Sequence, residues 1–170
     1  MQTIRIYGDP VLRKTAKPVE LFDTAFERFV DEMTETMIRE DGVGLAANQV
    51  GEAIRVAVID TTGGEEPPII LVNPEIVETS KEVVDAEEGC LSLPGITLPV
   101  KRPAEVSVTA LDRNGNPFKI DHATGLLARA LQHEIDHLNG ILFIDHVSPL
   151  QRTMINGKLK KMAKSGSGDK

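Results

Sequence analysis

The stretch 131-LQHEIDHLNG-140 sets two histidines four residues apart, with a glutamate directly after the first. In an α-helix residues i and i+4 share a face at about 5–6 Å between Cβ atoms, so His133 and His137 can turn their imidazoles on one atom. The H-E-x-x-H pattern is a zinc-protease signature in which the glutamate, here Glu134, is the general base. A bland alternative is a polar helix face with incidental histidines. Leu126, Leu127, Ala130, Leu131, Ile135 and Leu138 argue against it, because they predict a largely buried helix. Such a helix seldom carries a carboxylate and two imidazoles inward unless something satisfies them.

Two histidines leave a catalytic metal one protein ligand short. The pattern H-E-x-x-H-x-x-G-x-x-H would supply a third histidine, but this chain has Gly140 at the matching glycine and Phe143 where that histidine would stand. The remaining donors are Cys90, His122, His146 or a carboxylate. Cys90 is the strongest of these, because Gly89 before it and the apolar stretch after it place a thiol at a strand-like edge able to lie over the helix.

Working outward, 22-FDTAFERFVDEMTETMIRED-41 repeats apolar residues at steps of three and four. This predicts an amphipathic helix with Asp23 as N-cap and Gly42 just past its end. The middle of the chain reads as strands at IRVAVID, IILVN, a segment around PEIVETSKEVV, and EVSVTALD. Turn signals at TTGGEEPP, SLPG and DRNGNP join them in antiparallel style. A last helix is expected in SPLQRTMINGKLKKMAK, with Ser148 as cap and Pro149 in its first turn. The fold expected is α+β: antiparallel β-sheets around a central metal-binding helix, with an N-terminal helix and a C-terminal helix. No repeat or linker divides the chain, so residues 1–164 read as a single catalytic domain and 165–170 as a flexible C-terminal tail.

With 170 residues, 41% hydrophobic and 26% charged, the chain has an ordinary globular balance. It holds no run of about eighteen apolar residues, and its start, MQTIRIYGDPVLRK, lacks the apolar core of a secretory signal. The single cysteine cannot form an internal disulfide. These features favour a cytoplasmic protein without a membrane partner, from a bacterium rather than an organelle, although a trimmed organellar protein would look the same.

Three motifs then stand in order: 42-GVGLAANQ-49, 88-EGCLS-92 and 132-QHEIDH-137. Together with IRIYGDPVLRK and ATGLLARALQHEIDHLNGILFID they closely resemble the peptide deformylases, over nearly the whole chain and with no departure at a motif position. The resemblance implies a hydrolase that removes the N-terminal formyl group from formylmethionine of nascent polypeptides and releases formate. It implies Cys90, His133 and His137 as ligands of one divalent metal, Fe2+ expected, with Ni2+, Co2+ or Zn2+ able to substitute. Metal-bound water would attack the formyl carbon with Glu134 as general acid/base, and the Gln49 side chain and the Leu91 backbone N–H would receive the developing oxyanion. Val43, Gly44 and Gly89 would hydrogen-bond the extended peptide as an added strand.

Helical spacing from His133 puts Leu126, Arg129 and Ala130 on its face. Leu126 and Ala130 are expected to line the methionine pocket, and Arg129 to lie at its rim with its head in water. Asp136, off that face, is expected either to bond to Arg102 or a backbone group and hold the helix in register, or to be a solvated charge. His122 and His146 are expected to be structural or surface residues.

A second function class is an H-E-x-x-H peptidase cutting internal bonds, and a third is a closed metal module without activity. The cysteine ligand and GVGLAANQ weigh against the peptidase. Glu134 and the lack of a second cysteine weigh against the closed module. Finally, residues 151–170 carry six basic residues against Asp169 alone, a local charge of +5 in a chain of net −7. This predicts a removable arm that docks on the ribosome surface through salt-sensitive phosphate contacts.

Overall fold

The computed structural model describes residues 2–168, with side chains described to Ser165. The first long helix, α1 (Thr24–Arg39), starts where the Asp23 side chain accepts a hydrogen bond from the Phe26 amide at 2.9 Å. It ends in a turn in which the Gly42 amide donates to the Met37 carbonyl. Phe26, Val30, Met33 and Met37 are buried on its inner face, whereas Ala25 and Ile38 of the predicted stripe are exposed.

Strands β1 (Gly44–Ala46), β2 (Val56–Ile59), β3 (Ile69–Thr79), β6 (Glu105–Leu111) and β7 (Pro117–Thr124) form one antiparallel sheet in the order β1-β2-β3-β6-β7. Strands β4 (Val83–Gly89) and β5 (Thr97–Pro103) form a separate antiparallel pair. IILVN and PEIVET, read as two strands, are one: β3 runs through Pro74 at a register shift between Val72 and Glu75, where Asn73 takes φ 49°. A bulge lets a proline sit inside a paired strand. Strand β4 begins beyond the turn at residues 80–82. Sequence reading missed β1, β5 and β7, which are short or mix charge with apolar residues and show no clean alternation.

Helix α2 (Gly125–Leu138) lies against the large sheet and buries Ala128, Ala130, Leu131 and Ile135 among Ile59, Leu71, Val106 and Val108. Leu138 closes against Ala16, Ala46 and Ala57. On the other side, α1 packs on Leu45, Val56, Val58 and Val72. The expected α+β arrangement around the histidine-bearing helix is therefore present.

Helix α3 (Pro149–Gly168) opens on a reciprocal cap: the Gln151 amide donates to Ser148 Oγ, and the Ser148 amide to Gln151 Oε1. The helix extends over residues 165–168, where the tail was expected to begin, and residues 169 and 170 lie outside the described residues. It is no removable arm. Ile155 and Leu159 are buried with Val11, Leu12 and Phe143, and a Cβ on Gly8 would fall 2.6 Å from Ala163 Cα. Deleting 151–170 would open the core.

Candidate metal centre

Three segments meet at one end of α2. The first, GVGLAANQ, forms β1 and a 3-10 turn, Ala47–Val50. Gln49 is buried, contrary to the surface position its sequence neighbours suggest, because its Oε1 accepts from the Ala46 amide at 3.0 Å. That bond aims its Nε2 at Ser92 Oγ (3.2 Å) and Cys90 Sγ (3.4 Å). The second segment, EGCLS, leaves β4 at Gly89, and Cys90 opens a turn closed by the Leu93 amide on the Cys90 carbonyl. The third is α2 itself.

Cys90 Sγ lies 3.3 Å from His137 Nε2, and His137 Nε2 lies 3.2 Å from His133 Nε2. Among the described residues, Cys90, His133 and His137 form the one acidic, histidine or cysteine cluster whose donor atoms all fall within 4.8 Å of one another. Donors around a tetrahedral cation, with metal–nitrogen near 2.0–2.1 Å and metal–sulfur near 2.3 Å, lie about 3.3–3.6 Å apart. A thiolate and two imidazoles at nearly that spacing fit a divalent metal.

The outer contacts agree with this. His133 Nδ1 is 2.8 Å from Glu88 Oε1, which fixes the tautomer and leaves Nε2 free to bind. The His133 ring also stacks on Phe143, the residue that stands in place of a third histidine. His122 and His146 lie elsewhere, paired with Glu105 and Asp136.

The two imidazoles differ in charge preference. Burial favours the neutral form of both. For His133 its hydrogen bonds to Cys90 and Glu88 overcome burial and raise its pKa well above the usual value. His137 is pushed well below, by burial and then by the charge of His133.

Glu134 is 2% exposed, and its Oε1 meets no hydrogen-bond partner among the described residues. Burial pushes its carboxyl up to about 7, against the pull of His133 and Arg102. Its Oε2 lies over Gly44, where a Cβ would come within 2.6 Å. Glycine at 44 therefore makes room for the carboxylate.

Around these groups opens a cleft of about 610 Å³ that Val43, Gly44, Gly89, Leu91, Leu126 and Ala130 help to line. Leu126 is 53% exposed, facing this space rather than the core. Arg129 also lines it, but its head is not in water. It donates to Glu88 Oε2 (2.5 Å), Val100 O (2.9 Å) and Val84 O (2.8 Å).

Sequence reasoning gave Glu88 no role. It is almost fully buried, and burial alone would raise its pKa, yet hydrogen bonds from His133 and Arg102 hold it far below the usual range. Its place beside Gly89 and Cys90 was the only available signal. Asp136 does bond to Arg102, at 2.9 Å.

A family model described as polypeptide deformylase matches residues 1–153. A peptide deformylase of Brucella suis is 50% identical over 167 residues, covering 97% of this chain and 95% of the relative. One of Thermodesulfovibrio yellowstonii is 50% identical over 159 residues, covering 92% of this chain and 95% of the relative. The crystal structure of a peptide deformylase from Legionella pneumophila superposes with a TM-score of 0.90 at 46% identity, covering 100% of this chain and 99% of that one.

Proposed function

The chain belongs to the polypeptide deformylase family, enzymes that remove the N-formyl group from nascent peptides, and on that premise we propose a metal-dependent mechanism with named residues. Cys90, His133 and His137 hold one divalent cation, and their mutual spacing is the observation that carries this reading. Bound there, such a cation supplies Lewis acidity that eases deprotonation of water and polarises a carbonyl.

The chain's own groups do the rest. Glu134, dry and with a carboxyl near neutrality, takes a proton from the attacking water and returns it to the leaving amine. Gln49 Nε2, already oriented by the Ala46 amide, and the Leu91 N–H face the formyl oxygen as it gains charge. Val43, Gly44 and Gly89 present strand-like backbone to an extended peptide, and Leu126 and Ala130 give the methionine side chain an apolar wall.

Fe2+ is the expected physiological ion. Iron-loaded protein should lose activity in air while nickel-loaded protein keeps it, since a thiolate beside ferrous iron is open to oxidation. Equal lifetimes would count against iron. The defining experiment is formate release from formyl-Met-Ala by metal-loaded protein and by Glu134→Ala. A fall of about 10²–10⁴-fold in kcat is expected; an unimpaired variant would remove Glu134 from the chemistry.

The working place proposed is the bacterial cytoplasm. No helix among the described residues is long and apolar enough to cross a membrane. The exposed basic residues of α3, Lys158, Lys160 and Lys161, are proposed to meet the ribosome surface.

A further inference from the structure

The cluster's donors come from two bodies. Cys90 hangs from the β4–β5 pair, His133 and His137 from α2, and no strand of that pair joins the large sheet. The spacing of the cluster therefore depends on what seats the pair over the helix.

Beside the core packing of Leu93, Ile96 and Val100 and the bond between His133 and Glu88, three polar side chains seat the pair. Arg102 of β5 donates through Nε and Nη2 to Glu88 of β4 and through Nη1 to Asp136 of α2. Gln132 of α2 reaches the Pro103 carbonyl of β5 at 3.0 Å. Arg129 of α2 reaches Glu88 and the Val84 carbonyl on β4 and the Val100 carbonyl on β5. It alone of the three ties the helix directly to both strands. Glu88 needs no further cation for its charge, since Arg102 already meets both of its oxygens and His133 one of them. What Arg129 adds is position: a planar fork whose hydrogen bonds fix the hairpin's height and tilt.

We propose that Arg129 is a positioning residue for the three-donor site, holding the Cys90-bearing hairpin at the distance from His133 and His137 that lets all three donors share one cation. This rests on the ligand assignment above. Arg129 is not one of the three donors. It acts through Glu88 on the His133 ring and through the hairpin backbone on Cys90.

The test is metal binding by purified full-length protein stripped of metal. Zn2+ affinity is measured by chelator competition, and the Co2+ form by its thiolate-to-cobalt absorption band. Arg129→Met keeps the packed stem and removes the donors. It should weaken Zn2+ binding by about ten-fold or more, and it should weaken or shift the cobalt band. Arg129→Lys keeps the charge beside Glu88 but cannot bridge both strands, so a smaller weakening is expected. That variant decides the matter if the Met form does not fold.

A lower Tm with affinity and band unchanged in the folded variants would mean a purely structural role and overturn the proposal. If the parent shows the band and its loss in Cys90→Ala, such a result sinks Arg129 alone. A parent without the band would fell the ligand assignment and this inference together.

Discussion

At the scale of single residues, Gly44 and Glu134 are one design. A Cβ at 44 would sit 2.6 Å from Glu134 Oε2, and its three nearest atoms all belong to Glu134, so Gly44→Ala must push that carboxylate off its position. The expected result is a loss of about 10²-fold or more in kcat, with little change in Tm, read by formate release beside a melting curve. A large Tm loss with kcat intact would contradict it.

The pH profile follows from the same carboxyl. Burial raises it to about 7 in the metal-free chain, and a cation beside it can only pull it down. Glu134 must be ionised to accept a proton, so kcat/KM should fall on the acid side with a limb at or below pH 7. A limb clearly above that value in formate-release assays would point to another base.

The sequence showed His133, Glu134 and His137 because a helix turns periodicity into geometry. It could not show Glu88 or the true seat of Arg129. Their partners are 14 to 45 residues away, and nothing local in a carboxylate or guanidinium names a distant partner.

At the scale of elements, the 3-10 turn Phe143–His146 links α2 to α3. Its Asp145 accepts from Arg13 at 2.6 Å and 3.1 Å and from the Leu142 amide at 3.0 Å. Burial pushes the Asp145 carboxyl up, but the bond from Arg13, the Leu142 amide and the Arg13 charge outweigh it and hold it below the usual value. A lowered folded-state value stabilises the fold above the unfolded value of 3.8 and is lost as pH falls through the folded value. Asp145→Asn should therefore cost roughly 1 kcal/mol or less at pH 7, given that both partners are part-exposed. The two melting curves should draw together as pH falls below 3.8 and converge only below the lower folded-state value; a gap that persists below that value would show that the charge was not the cause.

Helix α1 and its cap were legible because one buried face repeats every three to four residues. Strand β7 was not, since PFKIDHAT alternates only partly and leaves charge on one face. Pro74 similarly hid the continuity of β3, because proline ordinarily ends a paired strand unless a bulge receives it.

At the scale of the whole molecule, α3 is both part of the core and the bearer of exposed lysines. The expectation that it could be cut away ignored Ile155 and Leu159, whose periodicity is diluted by lysines on the same helix. Ribosome docking is therefore tested by charge and not by deletion. Replacing the exposed Lys158, Lys160 and Lys161 by alanine should weaken binding to isolated ribosomes and flatten its salt dependence by about one unit of slope per lost phosphate contact. Turnover of formyl-Met-Ala should be unchanged. Undiminished binding would refute docking through these lysines.

The β4–β5 pair is hydrogen-bonded within itself and joins no ladder of the large sheet, so lifting it from α2 breaks side-chain bonds and core packing but no strand ladder. A cation shared by Cys90 and the α2 histidines would rivet that flap to the body and slow its opening in proportion to the free metal present. Amide exchange over residues 83–103 then becomes a gauge of occupancy, readable without substrate: a chelator should quicken it there first, while the amides of β2 and β3 barely respond.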